Sequence, residues 1–138
     1  MYDLERFVKA QNHNYQDALE EIRNGRKKSC WMWYVFPQIS GLGRSAMAKK
    51  YELQSLAEAK AYLDHPILST RLQEICEAAL VVDCSDAGIV FGSPDDLKLR
   101  SSMTLFEQAA PENPVFGMML DKFFGRERDE LTLQILET

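Results

Sequence analysis

Signals that begin helices recur along the whole chain and constrain its fold more than any other feature. Ser, Asp and Asn side chains accept hydrogen bonds from the first N–H groups of a helix, and proline suits the first helical position. Apolar residues at three- and four-residue steps follow most of these signals, which is the spacing of one helix face. The positions that predict a helix start are Asp3, Asn14, Ser29, Ser45, Ser55, Pro66, Ser85, Ser93, Asn113 and Asp129.

The evidence for β-strands is limited to two short apolar runs, Trp31–Phe36 and Ala87–Phe91. Such runs fit a strand or a buried helix, and the serine shortly before each run favours a helix. Gly25 and Gly125 follow periodic segments and are expected to end helices. The sequence therefore predicts an all-α fold, in which residues 1–138 form a single compact domain of about eight or nine short helices.

Charge and cysteine content indicate the cellular compartment of the chain and the classes of partner that it lacks. The chain has 16 Lys and Arg against 21 Asp and Glu, a net charge of −5, whereas nucleic-acid-binding domains are usually basic. Its three cysteines form no C-x-x-C pair, which fits a reducing cytoplasm. No segment resembles a signal peptide or a membrane helix. We expect a cytoplasmic monomer or weak homodimer with no nucleic-acid or membrane partner, no metal and no cofactor.

The segment from Cys30 to Ser45 contains both tryptophans and a Gly-Leu-Gly turn that leads into a helix. A glycine turn at a helix N-terminus beside an arginine can hold an anion, and the aromatic rings can stack on a base. The alternative is that the tryptophans anchor the core and that the glycines only form a turn. The residues predicted to contact a ligand here are Trp31, Trp33, Gly41, Gly43, Arg44 and Ser45.

A second candidate segment runs from Phe91 to Phe106. Its serines and threonine are poor helix formers in a position where a surface helix usually carries Glu, Lys or Ala. Together with the neighbouring cations they suit a phosphate or a carboxylate. The alternative is helix capping with an exposed ion pair between Asp95 and Lys98. The residues predicted to contact a ligand here are Asp96, Lys98, Arg100 and Ser102.

Several motifs match a known family. They are DLERFVKAQ, WMW-x-x-FPQ-x-x-GLG-x-S, FGSPDDLKLRSSMTLF and LDKFFGRERDELTLQIL. On these motifs, which span nearly the whole chain, the protein resembles a bacterial family known as domain of unknown function 1810. The resemblance implies a compact all-α protein. Family members usually carry His at the position of Cys30, so an acid–base role for that residue is not implied here.

A weaker resemblance runs to the NAD- and ADP-ribose-associated superfamily, whose enzymes cleave N-glycosidic bonds. It is carried by the pattern Ser55-x-x-Glu58-Ala-Lys60 and by a late helix like Met103–Phe106. Such chemistry needs a carboxylate or an activated water near the anomeric carbon. The nearest candidates are Glu52, Glu58 and Asp96, and the sequence does not choose among them.

The leading hypothesis is that the protein binds a phosphorylated or nucleotide-like small anion between the two segments. Arg44 and either Lys98 or Arg100 would neutralise the phosphate, and Trp33 would stack on the ring. An enzymatic version would be an N-glycosidase-like hydrolase, with its catalytic residues unknown.

Two rival hypotheses remain open. The first is a non-catalytic protein–protein interaction module that uses an adaptable methionine surface. The second is a redox-sensing thiol at Cys30. The methionines concerned are Met32, Met47, Met103, Met118 and Met119.

Overall fold

Helix signals in the sequence correspond to nine helices in the computed structural model, which describes residues 2–138. Within this range there is no strand, and only Ile39 and Leu53 form an isolated parallel bridge. The all-α prediction is therefore confirmed. The helices are α1 Glu5–Arg23, α2 Met32–Val35, α3 Ala46–Tyr51, α4 Leu56–Asp64, α5 Pro66–Val81, α6 Ala87–Val90, α7 Asp95–Ala109, α8 Val115–Phe124 and α9 Glu130–Glu137.

The first two predicted helices are one continuous helix, α1, so the predicted break at Asn14 is wrong. Asn14 lies inside α1, and its amide Nδ2 donates to the Tyr34 hydroxyl at 2.6 Å instead of capping a helix. Asp3 does not cap α1 either, because Leu4 holds the N-cap position without a side-chain hydrogen bond. The buried face runs through Asn14 without interruption, and one weak helix former costs only about 0.7 kcal/mol.

Several other predicted helix boundaries are confirmed. The hydroxyl of Ser45 accepts from Ala48 N at 3.1 Å, and the carboxylate of Asp129 accepts from Thr132 N at 3.1 Å. Ser55 caps α4 in the same way. Gly125 ends α8 in the left-handed conformation, with a φ of 57° that a side chain would disfavour.

Three predicted serine caps are wrong. Ser29 donates its hydroxyl to the Glu21 carboxylate at 2.5 Å and does not cap α2. Asp86, one residue beyond Ser85, caps α6 because its carboxylate accepts from the first N–H groups of that helix. α7 begins at Asp95, with Pro94 rather than Ser93 at the N-cap position.

Helix α7 packs against α4, α6, α8 and α9, and its position determines the geometry of the candidate sites. Every residue from Ser101 to Phe106 is buried. The hydroxyl of Thr104 donates to Arg100 O at 2.8 Å, and that of Ser101 donates to the Asp129 carboxylate at 3.0 Å. The premise that these hydroxyls lie on a surface helix is therefore wrong, because they face the interior of the protein.

Candidate functional site

The aromatic segment and α7 meet at two neighbouring lysine–tryptophan pairs. The Lys98 ammonium lies over the Trp33 ring, 5.5 Å from its centroid, and the Lys27 ammonium lies over Trp31 at 4.9 Å. Asp95, in the first turn of α7, joins the pairs by ion pairs of 2.8 Å to Lys27 and 3.6 Å to Lys98. We call these five residues the lysine–tryptophan cluster. It carries one net positive charge.

The Lys27–Trp31 pair is almost closed to solvent, and both its ammonium and its indole N–H have protein partners. Trp31 is 0% exposed, and the Lys27 side chain is 9% exposed. Besides its ion pair with Asp95, the Lys27 ammonium donates to Ser29 O at 2.6 Å. A fully buried Trp31 offers no ring face to a ligand, which favours the interpretation of this residue as a core anchor.

Glu21 fixes the closed pair, and sequence analysis missed it. Its carboxylate accepts four hydrogen bonds, from Lys28 N at 2.7 Å, Ser29 N at 3.0 Å, the Ser29 hydroxyl at 2.5 Å and the Trp31 indole at 2.9 Å. Partial burial raises the pKa of Glu21, but these hydrogen bonds outweigh it and lower the pKa to about 2. No local pattern marks Glu21, since it looks like any acidic residue on a helix surface.

The Lys98–Trp33 pair is open by comparison. The Lys98 side chain is 26% exposed, and its one ion pair, to Asp95, is longer than a hydrogen bond. Trp33 is half-buried, and within residues 2–138 its indole N–H is buried without a hydrogen-bond partner. Ser102, one turn beyond Lys98 on α7, also has a buried hydroxyl with no partner in that range. Buried polar groups are normally paired, so the Trp33 indole N–H and the Ser102 hydroxyl both lack the acceptor that such donors usually have.

In the Gly41–Ser45 turn, the two glycines and the serine have structural roles, whereas Arg44 has no partner among residues 2–138. Gly41 has a φ of +104°, which favours glycine. A Cβ on Gly43 would lie 2.4 Å from the Cβ of Ala48, so α3 can approach only a glycine there. Ser45 is exposed but its hydroxyl is used as the α3 cap. Arg44 is exposed and makes no ion pair with any residue from 2 to 138.

The structure separates the other predicted residues of α7 from Lys98. Arg100 lines a cavity of about 620 Å³ at the turn into α9. Asp96 lines another cavity, of about 440 Å³, with Leu97 and Phe123. Apart from the buried Ser102, the site residues predicted from sequence therefore fall into four groups: the lysine–tryptophan cluster, the Gly41–Ser45 turn, the cavity lined by Arg100 and the cavity lined by Asp96.

The remaining candidates are distributed between core and surface. Glu58 is 2% exposed, and its carboxylate pairs with Arg6 at 3.4 Å and accepts from Gln54 N at 2.7 Å. Cys30 is exposed. Met32, Met103 and Met119 are at most 2% exposed, whereas Met47 and Met118 are 37% and 50% exposed. The methionines therefore do not form a single surface.

The nine helices lie within residues 2–138. None of the helices there has both the length and the apolar character needed to cross a membrane. No group of three or more His, Cys, Asp or Glu residues in that part of the chain is arranged to hold a metal ion.

Comparisons with known proteins give a family. No curated protein sequence matches the chain. Among solved structures, the crystal structure of the conserved hypothetical protein Rv1873 from Mycobacterium tuberculosis is similar, with 46% sequence identity and a TM-score of 0.97 over 99% of this chain and 98% of that one. The family model described as protein of unknown function (DUF1810) matches residues 1–136. The chain therefore belongs to the DUF1810 family.

Proposed function

We propose that this protein binds a small nucleotide-like anion at Lys98 and Trp33. The observation that carries the proposal is the open lysine–tryptophan pair: an incompletely paired ammonium lies over an indole ring whose own buried N–H lacks an acceptor. The same segments were predicted from sequence to meet at a ligand, and this pair is where they come together.

Each group at the open pair suits one part of such a ligand. The Lys98 ammonium neutralises a phosphate, because a lysine is a compact charge with three donors. The accessible part of the Trp33 ring stacks on a base or packs against a sugar. Asp95 is the carboxylate at this position, and both of its oxygens face lysines. The proposed function is therefore ligand binding, without a hydrolytic step.

The test is isothermal titration calorimetry with AMP, ADP-ribose and ribose 5-phosphate as probes. We expect Lys98→Gln to weaken binding about tenfold or more, because it removes a charge-assisted contact worth about 1.5–3 kcal/mol. Lys60→Gln, at an exposed position on α4, is the matched control and should bind as the unchanged protein does. Absence of saturable binding, or equal affinity in Lys98→Gln, would refute the proposal.

An interaction module is the second candidate, and a different surface favours it. Ile89 and Leu97 are 56% and 53% exposed, and Leu97 lines the 440 Å³ cavity together with Phe123 and Phe124. Exposed apolar side chains such as Ile89 and Leu97 occur at protein–protein interfaces when they belong to one contiguous patch. Light scattering over a range of concentrations tests whether this surface joins two copies of the chain. A dimer that Leu97→Glu dissociates supports this function, and a concentration-independent monomer counts against it.

A further inference from the structure

The cavity on the Arg100 side of α7 has the features of a second anion site. Positions 98 and 100 of a helix lie about 200° apart around its axis, so Arg100 faces away from the lysine–tryptophan cluster. The cavity has a volume of about 620 Å³, within the usual range of about 300–1,000 Å³ for small-molecule sites. It is lined by Arg100, Arg126, Glu127, Arg128, Asp129, Glu130, Leu131 and Leu133.

Arg100 is incompletely paired. Its guanidinium has two carboxylate neighbours, Glu127 at 3.7 Å and Asp129 at 4.0 Å, and both distances exceed that of a hydrogen bond. Its Nε is buried and finds no hydrogen-bond partner among residues 2–138. A guanidinium carries five N–H donors in a planar fork. Arg100 therefore has N–H donors without acceptors, and these can bind an oxyanion.

The two neighbouring carboxylates do not supply what Arg100 lacks. The Oδ2 atom of Asp129 already accepts from the Ser101 hydroxyl, from Thr132 N and from the Thr132 hydroxyl, so this carboxylate is fixed as the α9 cap. Glu127 has a side chain that is 77% exposed. Its carboxylate can therefore leave Arg100 for water at little cost when a stronger acceptor arrives.

The rest of the lining sets two arginines against one exposed carboxylate, Glu130, and so favours an organic phosphate. Arg128 is held in place by two hydrogen bonds to the Glu107 carboxylate, at 2.5 and 2.8 Å. Arg126 is 80% exposed at the cavity rim and pairs with Asp121 at 3.1 Å. Leu131, at 59% exposure, provides an apolar wall for the part of a ligand that carries no charge.

We propose that this cavity binds a phosphate monoester. The phosphate takes the place of the Glu127 carboxylate on Arg100, and the organic group lies against Leu131. The site is independent of the one proposed at Lys98, since it uses the opposite side of α7 and a different set of side chains.

Phenyl phosphate is the probe, because it combines a phosphate with an apolar ring, and calorimetry measures its dissociation constant. Arg100→Gln should weaken binding at least tenfold, whereas Glu127→Gln should strengthen it severalfold by removing the competing carboxylate. Lys98→Gln should leave the affinity unchanged, which separates this proposal from the proposed nucleotide site. Inorganic phosphate should bind more weakly than phenyl phosphate because it lacks the contact with Leu131.

Other outcomes would overturn the proposal. Glu127→Gln is an exposed, conservative change that does not threaten folding, so unchanged or weaker binding in this variant contradicts the role given to Glu127 even if Arg100→Gln fails to fold. Benzoate serves as the carboxylate counterpart of the probe, and equal affinity for benzoate would contradict the choice of a phosphate. Absence of saturable binding of phenyl phosphate at millimolar concentration would also refute the site.

Discussion

The two lysine–tryptophan pairs use the same residue types and share the carboxylate of Asp95, yet they differ in what their polar groups contact. In the Lys27–Trp31 pair the ammonium and the indole N–H each have a protein partner, and the tryptophan is fully buried. In the Lys98–Trp33 pair the ammonium is held only by a 3.6 Å ion pair and an aromatic ring, and the indole N–H has no partner within residues 2–138.

We propose that this difference assigns the closed pair to the stability of the fold and the open pair to ligand binding. A satisfied and buried pair stabilises the fold, because removing one member leaves the other charge or dipole buried without a partner. An incompletely satisfied and accessible pair contributes little to stability and can exchange water for a ligand. The following variants test that division, beginning with the largest expected effect.

Trp31→Ala should lower the free energy of unfolding by about 3–5 kcal/mol, the usual cost of truncating a fully buried large aromatic residue. Trp33→Ala should cost clearly less, about 1–2 kcal/mol, because Trp33 is only half-buried and removes less area from water. Chemical denaturation of both variants measures the difference. Equal losses would remove the distinction between the two pairs.

Lys27→Met should cost about 2–3 kcal/mol, since it removes the 2.8 Å partner of a largely buried Asp95 and leaves a charge poorly compensated. The matched change Lys98→Met should cost less than about 1 kcal/mol, as expected for an accessible ion pair. Unfolding curves of the two variants provide the comparison. A larger loss in Lys98→Met would reverse the assignment of the closed and open pairs.

Glu21→Gln tests the carboxylate that fixes the closed pair, and it should cost about 1–2 kcal/mol after allowing for solvent screening. The folded pKa of Glu21 is about 2 against an ordinary value of 4.5, so its contribution is complete above pH 4.5 and is lost as the pH falls toward 2. The difference in unfolding free energy between the unchanged protein and Glu21→Gln should therefore shrink across that pH range. A constant difference would contradict the low pKa.

The helical class and several helix boundaries were predictable because they depend on local chemistry. Ser45, Ser55 and Asp129 act on N–H groups only three residues away. Ser29 has the right chemistry for a cap but bonds instead to Glu21, eight residues earlier in the chain. A local pattern does not reveal whether the Ser29 hydroxyl bonds to the N–H groups of the following helix or to the Glu21 carboxylate.

The segments that form the candidate site were predictable from sequence. Which residues of those segments lie close together was less predictable. Lys98 and Arg100 were alternatives for one phosphate, but helical geometry places them on different sides of α7. From sequence, Ser101 and Thr104 suggested a polar surface. In the structure both hydroxyls are buried and form hydrogen bonds with Asp129, which lies 28 and 25 residues later in the chain. Such contacts depend on tertiary packing, which residue spacing alone does not give.

The two indole N–H resonances can be followed directly by ¹H–¹⁵N NMR while AMP is added, with Trp33→Phe used to assign them. If AMP binds at Lys98 and Trp33, the Trp33 resonance moves and saturates while the Trp31 resonance stays in place, and Lys98→Gln abolishes the movement. Two unchanged resonances, or movement of the Trp31 signal alone, would contradict binding at this pair.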